Sequence, residues 1–146
     1  MSGASRKPDF DIWHVAFPVS NLDRAHAFYC VHLGFKIVGR DEYPSKRQLF
    51  VAIRDGGFTI ELYEPKGTSV GEARHLPDHL AFECVAIEEV RSRIAGTGLA
   101  VPEIETFDNG VKCFSLRDPD GVRLDFFQGR AIYDASISAR EASNTD

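Results

Sequence analysis

His14-Val-Ala-Phe17 near the start of the chain returns as His79-Leu-Ala-Phe82 in its second half. Each copy is followed by a stretch with helical spacing and then by short strand-like runs, which predicts a βαβββ module in each half. Glu61 comes 47 residues after the first histidine, and Asp125 comes 46 residues after the second. Because order, spacing and residue identity agree, we interpret the chain as an internal repeat of two modules.

A module of this size cannot bury both faces of its own sheet, so the two modules are expected to pair. The sequence therefore predicts an α+β domain over residues 10–129. In it, two paired βαβββ modules form one open curved sheet or barrel, with helices at about 21–33 and 87–96 on the outside. The predicted boundaries are a loose tail at 1–9, modules at 10–66 and 78–129, a linker at 67–77 and a polar tail at 130–146.

Composition excludes several classes of protein. The chain has 146 residues, 43% of them hydrophobic, which is ordinary for one globular domain. Its net charge of -5 favours neither nucleic acid nor an anionic membrane as a partner, and its apolar runs are too short to span a bilayer. Cys30, Cys84 and Cys113 are widely spaced, which predicts reduced cysteines in a cytoplasmic protein.

Strand alternation groups the repeated polar residues. Side chains two apart share a face, so His14 and Glu61 are expected on one face of the first module, and His79 and Asp125 on the equivalent face of the second. Two imidazoles and two carboxylates on a concave sheet predict one divalent metal ion, either Zn, Ni, Co, Mn or Fe(II). For Asp125, a hydrogen bond to a neighbour or an ion pair with Arg123 is the alternative to metal binding.

Four more side chains are expected to line a pocket for a small-molecule substrate beside the metal. They are Arg123, Tyr63, Phe127 and Glu83. Arg123 could bind a substrate oxygen or anion, and the alternatives are pairing with Asp125 or reaching out to solvent. The sequence thus predicts a metal and substrate site on the polar face of the sheet.

Two longer motifs resemble a known family: Phe28-Tyr29 followed by Leu33-Gly-Phe35, and Arg117-Asp-Pro-Asp-Gly-Val-Arg-Leu-Asp125. Both are similar to the vicinal oxygen chelate superfamily, which includes glyoxalases, bleomycin-resistance proteins, fosfomycin-resistance enzymes, extradiol dioxygenases and related epimerases. The resemblance covers about residues 10–129 and implies a homodimer of open barrels around a metal. The family's ligand positions fall on His14, Glu61, His79 and Asp125, where the last is usually Glu.

The resemblance implies a metal-dependent isomerase, epimerase or lyase of the glyoxalase type, acting on a small hydroxy-carbonyl or keto substrate. Glu61 or Asp125 is expected to remove the proton next to the carbonyl, and the metal to stabilise the enediolate that forms. Two alternatives stay open. One is a non-enzymatic protein that sequesters a drug or metabolite, as bleomycin-resistance proteins do, and the other is an Fe(II) dioxygenase.

Overall fold

The computed structural model describes residues 12–67 and 76–132, together with residues 9, 134, 135 and 139. The predicted tail at 1–9 therefore lies outside the described residues except for Asp9. The same holds for most of the linker at 67–77 and for most of the polar tail at 130–146.

The first module forms a four-stranded sheet, here called the first sheet, with the strand order β1-β4-β3-β2. Asn21 caps the helix, since its side chain accepts a hydrogen bond from the backbone N–H of Arg24. Gly34 follows the helical region with a φ of 80°, a conformation that glycine adopts without strain. The elements are β1 (His14–Pro18), α1 (Leu22–His26), a π-helical segment (Ala27–His32), β2 (Lys36–Glu42), β3 (Lys46–Ala52) and β4 (Thr59–Pro65).

The second module repeats this arrangement in a second sheet with the order β5-β8-β7-β6. β5 pairs with β8 in parallel, as β1 pairs with β4. The elements are β5 (His79–Glu83), α2 (Ile87–Ala95), β6 (Glu105–Thr106), β7 (Lys112–Arg117) and β8 (Arg123–Gln128). The predicted α+β fold of two βαβββ modules is thus confirmed. Strand β6 has two residues, which is too short for an alternating pattern to be recognised in the sequence.

Polar contacts join the two modules on their helical side. The buried Tyr29 hydroxyl donates to Asp118 Oδ2 at 2.7 Å. Burial first, and then the Asp118 carboxylate, raise the pKa of Tyr29, so this hydroxyl remains a donor. The backbone N–H of Ser20 donates to the Asp120 carboxylate at 3.1 Å, and His32 Nδ1 lies 2.7 Å from Thr97 Oγ1.

An aromatic chain runs through the same contact. Phe35 of the first module meets Phe82 of the second edge-on, with ring centroids 5.9 Å apart. Phe82 stacks on Phe126 at 5.0 Å, and Phe126 stacks on Phe114 at 4.8 Å. Residues of both modules therefore belong to one hydrophobic core.

The described strands form two four-stranded sheets, which agrees with the predicted open curved sheet and does not close into a barrel. In each sheet the first strand of the module, β1 or β5, lies at one edge. The apolar side of each sheet faces the joint core, and the face that carries the repeated polar residues is the opposite one.

The three cysteines are free, as predicted. Within the described residues, no helix is long and apolar enough to cross a membrane. The cytoplasmic location stays a prediction.

Candidate metal and substrate site

Glu61 lies on the polar face of the first sheet. It is paired with Ala16 of β1 on one side and with Phe50 of β3 on the other, so His14, two residues before Ala16, shares its face. The Glu61 side chain is largely buried, with the residue 9% exposed. Lys46 Nζ lies 3.7 Å from Glu61 Oε1 and 5.1 Å from the centre of the Tyr63 ring. A cation of this chain thus stands beside the buried carboxylate.

Aromatic rings hold the imidazole of His14. The Trp13 ring lies edge-on at 4.5 Å and the Phe50 ring at 5.3 Å between centroids. Among the described residues, nothing forms a hydrogen bond with the buried Nδ1 of His14. Buried polar atoms normally have a hydrogen-bond partner, so an unpartnered Nδ1 is unusual. Ring contacts position this imidazole, and its Nδ1 is not committed to a hydrogen bond.

Asp125 holds the equivalent place in the second sheet. It is paired with Ala81 of β5 and with Ser115 of β7, and the residue is only 6% exposed. The Ser115 hydroxyl donates to Asp125 Oδ1 at 2.7 Å. Arg123 Nε donates to the same carboxylate, 3.0 Å from Oδ1 and 3.3 Å from Oδ2. The ion pair predicted as an alternative for Asp125 is therefore present.

His79 shares the face of Asp125 and is oriented by its neighbour Asp78. Their Nδ1 and Oδ2 atoms are 2.7 Å apart, and since a carboxylate only accepts, Nδ1 is the donor. This hydrogen bond first, and the nearby Arg123 second, lower the pKa of Asp78. Metal-binding histidines usually donate one ring N–H to a carboxylate in this way, which directs the other nitrogen outward. Nε2 of His79 is thereby available to a ligand.

A cavity of about 520 Å³ opens on the polar face of the second sheet. Every residue that lines it lies at position 79 or beyond. Of the residues predicted from the sequence, it brings together His79, Asp125, Arg123, Phe127 and Glu83. Tyr63, predicted for the same pocket, lies instead with Glu61 on β4 of the first sheet.

The structure places the four predicted ligands in two pairs, one on each sheet. Among the described residues, no group of three or more His, Cys, Asp or Glu side chains is arranged to hold a metal ion. Each pair nevertheless has the chemistry of a metal ligand set: an imidazole with an uncommitted nitrogen and a buried carboxylate. Two imidazoles and two carboxylates are donor types that bind a divalent ion. Within the described part of one chain, however, they lie on two separate sheets.

Three residues of the site were missed by the sequence reasoning. Lys46 is four residues before Phe50 on β3, so the two side chains share a face. Phe50 is paired with Glu61, which puts Lys46 on the face of Glu61 as well. Asp78 directly precedes a predicted metal ligand, where an orienting carboxylate is common. The register between β7 and β8 brings Ser115 opposite Asp125, and no pattern in the sequence predicts this register.

The paired modules with two imidazoles and two carboxylates in matching positions define a class of protein. The chain belongs to the Glyoxalase/Bleomycin resistance protein/Dioxygenase superfamily, whose profile matches residues 11–126. This family membership confirms the resemblance to the vicinal oxygen chelate superfamily.

Several individual proteins are similar to this chain over most of their length. The chain is 28% identical over 124 residues to the uncharacterized protein YwbC of Bacillus subtilis, covering 79% of this chain and 94% of that protein. It is 27% identical over 124 residues to a lactoylglutathione lyase of Neisseria meningitidis, covering 81% of this chain and 90% of that protein. A crystal structure of a glyoxalase family protein from Enterococcus faecalis superposes with a TM-score of 0.65 at 26% identity, covering 80% of this chain and 96% of that one.

Proposed function

We propose that this chain is a metal-dependent lyase or isomerase of the glyoxalase type, which removes a proton next to the carbonyl of a small substrate. The observation that carries the proposal is the matched pair of faces, each with one histidine and one buried carboxylate. The similarity to a lactoylglutathione lyase over most of both chains supports the enzyme class.

The complete site is formed by two chains. Within one chain the polar faces belong to separate sheets, and each sheet ends in an edge strand, β1 or β5. Exposed edge strands tend to pair with another strand, and a symmetric dimer can join β1 of one protomer to β5 of its partner. Trp13 next to β1 is 76% exposed, so it does not pack beneath a helix and is available for this contact.

The side chains divide the catalytic work. His14, Glu61, His79 and Asp125 would hold the metal ion, which supplies Lewis acidity toward a carbonyl oxygen of the substrate. Asp125 is held by Ser115 and Arg123, which occupy its oxygens. Among the described residues, the polar partner of the Glu61 carboxylate is the Lys46 ammonium at 3.7 Å, which is beyond hydrogen-bond distance. We therefore assign Glu61 as the base that accepts the proton, and Asp125 as a fixed ligand.

The substrate would lie between the two faces. Arg123 and Phe127 line the cavity on the second sheet, and Tyr63 approaches from the first sheet of the partner. Closure of the two faces excludes water from the carbon that loses its proton. After accepting the proton, the Glu61 carboxyl can return it to a neighbouring carbon, so the reaction needs no added oxidant or reductant.

Metal content tests the proposal directly. The purified protein should carry about one divalent ion per chain by elemental analysis, and His79→Ala should lower the affinity for Zn²⁺ at least about a hundredfold, because a ligand is removed outright. His26→Ala is the matched control, since His26 lies on α1 outside the site, and it should keep the metal. The enzyme proposal is contradicted if the purified wild-type protein holds no divalent ion and its dissociation constant for Zn²⁺ is above about 1 mM.

Mixing two defective variants tests the shared site. If each site combines the first sheet of one chain with the second sheet of the other, a heterodimer of His14→Ala and His79→Ala chains has one site with both defects and one intact site. Co-refolded equimolar chains should then recover about one metal site in four, whereas each variant alone binds none tightly. Sites contained within one chain give no recovery. Light scattering that shows only a 16.3 kDa species excludes the dimer.

A further inference from the structure

Two buried side-chain atoms of the first sheet have no hydrogen-bond partner among the described residues. They are Nδ1 of His14 and Oε1 of Gln48. Both residues belong to the polar face of this sheet. His14 shares the face of Glu61, and Gln48 is paired with Tyr63, which follows Glu61 by two residues on β4. The proposed metal site uses His14, whereas the proposed function has no role for Gln48.

The carboxamide of Gln48 has a defined orientation. Its Nε2 lies 3.2 Å from Oδ2 of Asp41, and since a carboxylate only accepts, the amide nitrogen is the donor and Oε1 is the remaining acceptor. Gln48 is only 5% exposed. A buried acceptor without a partner lowers the stability of a fold, whereas methionine would fill a similar volume without this cost. An unsatisfied buried group of this kind is therefore a candidate for contact with a ligand.

The charges around Gln48 favour a neutral ligand group over an anion. Asp41 is paired with Gln48 on β2, and Glu61 lies on β4, one strand to the other side. Lys46, two residues before Gln48, has its Nζ 3.7 Å from Glu61 Oε1, so the charge of this cation is balanced on the face. An anionic group would meet two carboxylates and an amide oxygen here, whereas a hydroxyl group can donate to Oε1.

The ring side chains beside Gln48 suit the carbon atoms that carry a hydroxyl group. Tyr63 lies opposite Gln48 and Phe50 follows it by two residues, and both are half-buried on the same face. Oε1 itself has almost no contact with solvent. The terminal torsion of glutamine is soft, however, so a rotation of the amide can present this oxygen to a ligand on the face.

We propose that Oε1 of Gln48 accepts a hydrogen bond from a hydroxyl group of the substrate, so that the substrates of this chain are hydroxylated ketones or aldehydes with no anionic group at this end. The inference rests on the proposed function in that it names the substrate class of the proposed site. The contact itself lies within one sheet of one chain and needs no metal ion. It also leaves Lys46 beside Glu61.

The test compares two ketones with the same four-carbon chain. Erythrulose and 1-hydroxybutan-2-one both carry a hydroxyl group next to the carbonyl, and erythrulose has two more on the following carbons. Ligand-observed NMR titrations of the purified protein, with and without EDTA, should give a dissociation constant for erythrulose about three- to tenfold below that for 1-hydroxybutan-2-one. This factor is the usual gain from one hydrogen bond between neutral groups.

The side-chain amide signals of Gln48 give a second measurement on the wild type. In ¹H–¹⁵N spectra, erythrulose should shift these signals, because its hydroxyl group bonds to the amide oxygen. 1-Hydroxybutan-2-one should leave them nearly unchanged. This measurement does not depend on the folding of any variant.

Gln48→Met removes the acceptor and keeps a similar volume. We expect its affinities for the two ketones to agree within about twofold, through the loss of erythrulose binding alone. Its urea midpoint of unfolding should stay the same or rise, because an unpartnered buried acceptor is removed. Gln128→Met is the matched control. Since Gln128 Oε1 accepts from the backbone N–H of Ile87 at 2.8 Å, this variant should lower the urea midpoint and leave the ligand preference unchanged.

The outcomes separate this inference from the proposed function. Equal affinities for the two ketones in the wild type, or no measurable binding of either, overturn the inference. A merely structural Gln48 predicts a lower urea midpoint in Gln48→Met with the preference for erythrulose intact, and that result overturns it as well. Should Gln48→Met not fold, the wild-type titrations and amide signals decide. Uptake of Zn²⁺ by the wild type without a preference for erythrulose removes this inference alone. A preference for erythrulose in a protein that takes up no Zn²⁺ removes the metal-dependent reaction and leaves the hydroxyl contact in place.

Discussion

Glu61→Gln is expected to lower turnover by about two to four orders of magnitude, which is the usual contribution of a general base. The substitution removes the basic oxygen but keeps nearly the same shape and one carbonyl oxygen as a metal donor. The metal should therefore remain largely bound while proton abstraction fails. Incubation of Zn²⁺-loaded protein with a panel of hydroxy-ketones and oxo acids in heavy water, followed by NMR, measures deuterium entering the carbon next to the carbonyl.

Asp125→Asn is the matched control for Glu61→Gln. Since Ser115 and Arg123 already donate to the Asp125 carboxylate, its oxygens are less available to take up a proton from substrate. We expect Asp125→Asn to weaken metal binding more than Glu61→Gln does, and to lower exchange less once the metal is saturating. A larger loss of exchange in saturated Asp125→Asn reverses the two roles.

The same assay separates the proposed enzyme from its alternatives. If no compound in the panel exchanges deuterium and an aromatic drug binds tightly without turnover, the protein is a sequestering protein and not an enzyme. If the Fe(II)-loaded protein takes up molecular oxygen in the presence of a substrate, the protein is a dioxygenase.

The repeat in the sequence was sufficient to predict the fold class and the face of each site residue. Alternation has a period of two, so the position of Glu61 relative to Ile60 and Leu62 decides its face without knowledge of the strand's partners. The structure agrees: Ile60 and Leu62 are in the core and Glu61 is paired with Ala16 on the opposite face. The same reasoning placed Asp125 between Leu124 and Phe126.

The way the modules join could not be predicted in this manner. Whether two sheets meet edge to edge or through their helices depends on long-range contacts such as Tyr29 with Asp118 and Phe35 with Phe82, which have no periodicity in the sequence. The predicted first helix also has apolar spacing throughout, and the spacing does not reveal that Ala27–His32 is π-helical. The four predicted ligands lie in two pairs because each module forms its own sheet.

Phe28→Ala is expected to lower the free energy of unfolding by about 3 to 5 kcal/mol, the range for deletion of a buried Phe ring. Phe28 is 5% exposed in the π-helical segment, and its ring meets Tyr29 edge-on with centroids 5.2 Å apart. Tyr29 in turn contacts Phe35 at 5.7 Å and donates to Asp118, so the cavity would lie beside the joint between the modules. Urea denaturation followed by circular dichroism measures the loss at a fixed protein concentration, since the stability of the proposed dimer would depend on concentration.

Val31→Ala provides the comparison within the same segment. Val31 is 61% exposed, so its truncation removes little buried surface and should change the free energy of unfolding by no more than about 0.5 kcal/mol. The helical backbone is common to both variants, and the difference between them therefore isolates the packing of the Phe28 ring from any effect of helix propensity. Equal and small losses in the two variants would contradict the burial of the Phe28 ring in the hydrophobic core.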